Sequence, residues 1–141
     1  MTLIPDTEAK IRASFAAQTL MSTLGAELDE ITQGFARINA PILPGSLQQH
    51  GAAHAGLTFA IGDSAAGYAA LAMFDPNDEI MTVEMKINLL RPAVGDLLLA
   101  EGRVVKPGRR LTVVSADVFA ENAGQRKHVA TLQGTMIPVE T

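Results

Sequence analysis

Between Arg37 and Asp75 only Asp63 is charged at neutral pH, and it stands among alanines, glycines, Ile61 and Phe59 in QQHGAAHAGLTFAIGDSAAGYAALAMF, residues 48–74. A carboxylate taken out of water without compensation is costly. It must therefore reach water or polar partners, or be kept for chemistry as a base or nucleophile. Upstream, His54, Ala55 and Gly56 precede an alanine-rich run suited to a helix. The unpaired N–H groups of a helix start, reinforced by the helix dipole, can polarise a carbonyl or bind an anion. The same residues equally describe an ordinary helix start with His54 as its cap. On a helix, Asp63 lies ~13.5 Å beyond His54 and about half a turn round. One chain cannot bring both ends to a single substrate carbonyl. If they cooperate, the carboxylate comes from a second copy related by a two-fold axis.

Other candidates carry less. His50 and His54 have a spacing that suits zinc on a helix, but Gly51 lies between them and no third ligand is near, so no metal site is expected. In KPGRR, Lys106, Arg109 and Arg110 surround Gly108 at a turn. This is a solvated hairpin tip, or a clamp if the substrate carries phosphates. Thr82 falls on the polar side of a strand and faces either a site or water. The G-x-S-x-G, Walker A and G-x-G-x-x-G patterns do not occur, which removes the nucleophile elbow, the NTPase loop and the dinucleotide fold.

Positioning these residues requires a small set of elements. Asp6 and Thr7 can cap an N-terminal helix over about 6–22, with Ile11 and Phe15 on one face and Gly25 as terminator. AELDEI and FARINA read as two strands about a TQG turn. From His54 to about Met73 composition favours a helix apolar on every side, hence wrapped by the rest of the protein, and its glycines suggest close contact with other backbone. EIMTVEMKINLL, DLLLAEGRVV, LTVVSADVFA and HVATLQGTMIPV follow as strands separated by turn compositions, suited to an antiparallel meander. The expectation is one α+β domain spanning 1–141: a curved antiparallel sheet around one long central helix, with an extra N-terminal helix.

Composition narrows the function. The chain has 141 residues, 48% apolar and 18% charged, with a net charge of −4, which argues against disorder and against a nucleic-acid partner. It has no cysteine, which excludes disulfides, thiolate metal sites and a cysteine nucleophile. The start lacks a basic and then apolar signal pattern, so a cytoplasmic location is expected. Asp63 and its small neighbours make residues 55–74 a poor membrane span, so no membrane association is expected.

Taken together, Gly51, His54, Ala55 and Gly56 in G-x-x-H-[GA]-G, then Ile61, Asp63 and Ala65 in L/I-x-D-x-A, resemble the PaaI-type hotdog-fold acyl-CoA thioesterases. TVEMKINLLRPAVGD and the KPGRR turn extend the likeness over roughly residues 20–138. The resemblance implies a hotdog fold and a homodimer, or a tetramer built as a dimer of dimers. It also implies hydrolysis of a CoA thioester without metal or cofactor. In such enzymes the amides at the helix start, here Ala55 and Gly56, hold the thioester oxygen, and an aspartate of the partner subunit, here Asp63, is base or nucleophile. His54 would shape the turn, and Thr82 matches a hydroxyl beside the aspartate. Gln48 stands where the family often has Asn, and Ala55 replaces its first glycine. Arg91, Lys106, Arg109 and Arg110 are the candidates for CoA phosphates. Two rivals belong to other classes: a hotdog hydratase or dehydratase of β-hydroxyacyl thioesters pairing His54 with Asp63, and a non-catalytic acyl-CoA-binding module.

Overall fold

The computed structural model describes residues 2–140. The chain opens with α1 (Pro5–Ala17) and α2 (Thr19–Leu24), followed by β1 (Glu27–Thr32) and β2 (Phe35–Pro41). The central helix α3 (Ala55–Leu71) then leads to β3 (Glu79–Leu89), β4 (Leu97–Lys106), β5 (Thr112–Asn122) and β6 (Gln125–Val139). Pro5 sits in the first turn of α1, where its fixed φ and missing N–H cost nothing. The cap residue is Ile4, so Asp6 and Thr7 lie inside the helix rather than capping it. The single N-terminal helix expected over 6–22 is broken at Gln18, whose backbone is extended at φ −77°, ψ 101°. Gly25, at φ 69°, ends α2 as its sequence position suggests, in the left-handed conformation that glycine adopts without strain.

All six strands form one antiparallel sheet in the order β1-β2-β4-β5-β6-β3. Only β4, β5 and β6 form the expected meander. The passage of α3 across the sheet delivers the chain to the far edge, so β3 pairs with β6, and β4 returns to pair with β2. As an edge strand β3 is left with half its backbone unpaired. Its Met81, Val83 and Leu89 are 59%, 56% and 58% exposed, an unusual apolar load for a sheet edge facing water.

The sheet curves round α3. Ile61, Ala65, Ala66, Ala69 and Ala70 of the helix are fully buried against Ala36 and Ile38 of β2, Leu98 of β4, Val114 and Val118 of β5, and Met136 of β6. β5 shows the matching alternation, with every second residue from Thr112 to Ala120 turned inward. The close approach of the α3 backbone to strand backbone is made at a strand glycine rather than at the helix glycines as expected. A Cβ on Gly102 of β4 would overlap the peptide group between Ala65 and Ala66. Gly62 instead makes room for the Leu132 side chain, whose Cδ2 would stand 2.9 Å from a Cβ there. Among the described residues no helix is long and apolar enough to cross a membrane.

Candidate active site

The loop before α3 is tied down at several points. His54 N–H donates to the Ser46 carbonyl at 2.8 Å, and Ala53 N–H to the Ala93 carbonyl at 2.9 Å. Gln48 Oε1 accepts from the amides of His50 (2.6 Å) and Ala52 (3.1 Å), which fixes its side chain and leaves its Nε2 donors without a partner among the described residues. His54 is the cap residue of α3, and its Nδ1 accepts from the Gly56 amide at 2.7 Å. Gly56 is therefore not a free donor for a thioester oxygen, and His54 caps the helix start as the alternative reading of these residues has it. The Ala55 N–H has no acceptor among the described residues. Ala55 lines, with Gln48, Leu90 and Arg91, a cavity of about 340 Å³.

Asp63 lies two turns further along α3, ~12 Å from Ala55 on the helix axis. It is half-buried, and its Oδ1 accepts from Thr82 Oγ1 of β3 at 2.9 Å. No cation pairs with it among the described residues. Burial pushes its pKa up from the ordinary aspartate value, and the Thr82 hydrogen bond, which favours the charged form, recovers only part of that rise. Asp63 and Thr82 line a second cavity, of about 240 Å³, which shares no residue with the first. The carboxylate and the free amide thus serve different cavities of one chain.

The basic candidates separate in the same way. Arg91 borders the Ala55 cavity and, with Lys127, a further one of about 340 Å³ beside it. Its guanidinium is held by donation to the His128 carbonyl at 2.8 Å. Arg109 lies with Met73, Phe74 and Asp75 at the other end of α3, so the turn carrying Lys106, Arg109 and Arg110 is remote from Ala55 in its own chain. Among the described residues no three His, Asp or Glu side chains gather as a metal site would require. Sequence patterning did not single out Lys127, which lies in β6, or the polar wall of the Asp63 cavity formed by Ser14, Gln18 and Tyr68. A signal for that wall existed in Tyr68, the sole tyrosine of the chain, five residues past Asp63 and buried.

Comparison with known proteins decides the family, since the thioesterase superfamily model matches residues 50–127, more than half of the chain and the part that holds both ends of the site. The chain belongs to the thioesterase superfamily. A thioesterase family protein from Silicibacter pomeroyi is 38% identical, covers 96% of this chain and 99% of its own, and superposes with a TM-score of 0.93. The PaaI protein of the E. coli phenylacetic acid degradation operon is 23% identical over 98% of this thioesterase-superfamily chain and 96% of its own, with a TM-score of 0.87, so the two share the hotdog fold. A Saccharolobus solfataricus protein provisionally named an esterase is 27% identical over 106 residues, 75% of this chain and 70% of that one. The PaaI-type hotdog architecture expected from the motifs is therefore the one observed, in a superfamily of hydrolases.

Proposed function

We propose that this protein hydrolyses acyl-CoA thioesters as a homodimer in which Asp63 of each subunit serves the Ala55 amide of its partner. The observation that carries this reading is the separation described above: a half-buried carboxylate with a raised pKa and no cation, and an unoccupied helix-start amide, in two cavities of one chain. Pairing two copies edge to edge along β3 would cover Met81 and Val83 and complete the unpaired strand. It would also set two α3 helices side by side and antiparallel, so that each Asp63 approaches the other Ala55. The end of the partner beyond Asp63 carries its KPGRR turn. That arrangement assigns the phosphates of CoA to Arg91 of one subunit and to Lys106, Arg109 and Arg110 of the other.

In this geometry the thioester oxygen accepts from Ala55 N–H, with Gln48 Nε2 as a second donor. The carboxylate of Asp63 takes a proton from water as the water oxygen bonds to the carbonyl carbon, and the carbonyl electron pair moves to oxygen. The amide and the α3 dipole stabilise that charge where it develops. Collapse breaks the C–S bond, and the sulfur leaves with the proton from Asp63, giving free acid and CoA. Direct attack by Asp63 would instead give an anhydride that water then opens. His54 shapes the oxyanion site by engaging Gly56 through Nδ1. The test is thiol release from acyl-CoA by Asp63→Asn, where loss of a positioned base predicts a fall of about 10²–10⁴-fold. Undiminished turnover in the folded variant would overturn the role.

A further inference from the structure

Thr82 reaches Asp63 because β3 carries one residue more than its partner strand. Thr82 pairs with Met136 of β6 and Glu84 with Thr135, so Val83 is the extra residue of a β-bulge between them. The bulge reverses which side of the strand each later residue takes. Ile80 packs on the core before it, and Met85 and Ile87 do so after it. In an unbroken strand Thr82 would share a face with Glu84 and Lys86. With the bulge it faces α3, while those two charged side chains are exposed.

In that position the Thr82 hydroxyl has one hydrogen and two acceptors. Its Oγ1 lies 2.9 Å from Asp63 Oδ1 and 3.2 Å from the sulfur of Met136. Met136 is fully buried and is paired on both sides, with Thr82 of β3 and Thr112 of β5. Its methyl group stands 3.8 Å from where a Cβ on Gly67 would be, so the glycine four residues past Asp63 gives it room against α3. The sulfur is thereby held next to the hydroxyl that serves the carboxylate. A thioether is a weak neutral acceptor whose strength does not follow the charge on Asp63. A carboxylate outcompetes it readily. A protonated carboxyl, which no longer makes a charge-assisted hydrogen bond, does so far less.

We infer that Met136 is a positioning residue whose sulfur takes over the Thr82 hydrogen bond while Asp63 is protonated, a role that rests on the proposed thioesterase reading. When Asp63 receives a proton from water, the Thr82 O–H turns from Oδ1 toward the sulfur. It turns back when that proton passes to the leaving thiolate. The hydrogen stays on Oγ1 throughout, and no heavy atom has to move. The hydroxyl alone favours the carboxylate; with the sulfur beside it, the carboxylic acid is accommodated as well.

The other ionisable groups on the walls of this cavity are Glu79 of β3, 3.3 Å from Lys10 of α1, and Tyr68 of α3, whose hydroxyl accepts from Gln18 Nε2 at 2.6 Å. Among the described residues β6 contributes none. The experiment sets Met136→Leu, which keeps the bulk and removes the acceptor, beside the wild type, and repeats the pair in a Thr82→Val background. Two readouts are followed against pH: kcat/KM by thiol release, and the ¹³C carboxyl resonance of Asp63, which needs no turnover. With Thr82 present, Met136→Leu should lower both midpoints by about half a pH unit, opposite in sign to Thr82→Val alone. In the Thr82→Val background it should move neither. A role in packing alone predicts the same change in both backgrounds. Unmoved midpoints, a rise, or equal movement with and without the hydroxyl overturns this inference and leaves the hydrolase reading standing. That reading fails separately, by absence of thiol release from every acyl-CoA, while the carboxyl resonance still tests the sulfur.

Discussion

Replacing Ala55 by proline removes the proposed oxyanion donor with little disturbance to the fold. Ala55 is the first residue of α3, where proline's fixed φ suits the helix and the lost N–H has no acceptor among the described residues. His54, at ψ 141°, already has the extended backbone that a following proline requires. Losing one such donor costs about 10²–10³ in kcat, or ~2.7–4 kcal/mol of transition-state stabilisation. Asp63→Ala removes the other half of the chemistry. Each variant alone should be close to inactive. Co-expressed on separately tagged chains, they form a heterodimer in which one site combines the intact amide of the Asp63→Ala chain with the intact carboxylate of the Ala55→Pro chain. The second site has neither. Doubly purified heterodimer should therefore recover about half the wild-type rate per dimer, and a random mixture about a quarter, by the symmetry of a two-fold assembly. The assay is thiol release after tandem affinity purification. A heterodimer no more active than its parents would refute the exchange of Asp63 between subunits.

Removing the Thr82 hydroxyl, as in Thr82→Val, withdraws the hydrogen bond that favours the charged carboxylate and leaves burial to act alone, so the acid limb of the pH–rate profile should move to higher pH. A carboxyl whose pKa is raised by folding contributes stability below its unfolded value and loses it as the pH rises through the folded value. Asp63→Asn should accordingly raise the melting temperature at neutral pH but not at pH 3, measured by calorimetry at both. Gly102→Ala forces a Cβ into the Ala65 peptide group and should cost ~1–3 kcal/mol or more in chemical denaturation, whereas Gly45→Ala, with no atom within 4 Å of the added carbon, should stay within about 0.5 kcal/mol of the parent.

The readable parts of the sequence were those governed by local chemistry. The buried helix announced itself by lacking a polar face, its start by His54, and the strands by β-branched residues between turn compositions. Strand order was not local. Nothing in EIMTVEMKINLL distinguishes pairing with β4 from pairing with β6, because the choice depends on where α3 leaves the chain. The break at Gln18 escaped for a similar reason: helix propensity continues through it, and the competing bond is made with a residue fifty positions away. At the site, Asp63 was legible as a lone charge and its hydroxyl neighbour by motif. His54 was legible as a cap, but which amide it captures rests on a side-chain rotamer, which spacing does not encode.

The contact of Gly102 with the Ala65 peptide means that at this point α3 rests on bare strand backbone, which fixes its position along the sheet. In a dimer of the proposed kind the segment from Ala55 to Asp63 then acts as a ruler between two reaction centres, each reading one of its ends. A residue inserted within it would lengthen the span by ~1.5 Å and swing the carboxylate through ~100°. Both centres would fail from one event, while the same insertion in the turn at Gly124 would leave them untouched. The catalytic frame is thus least tolerant of length change in a stretch of helix that carries a single charged side chain.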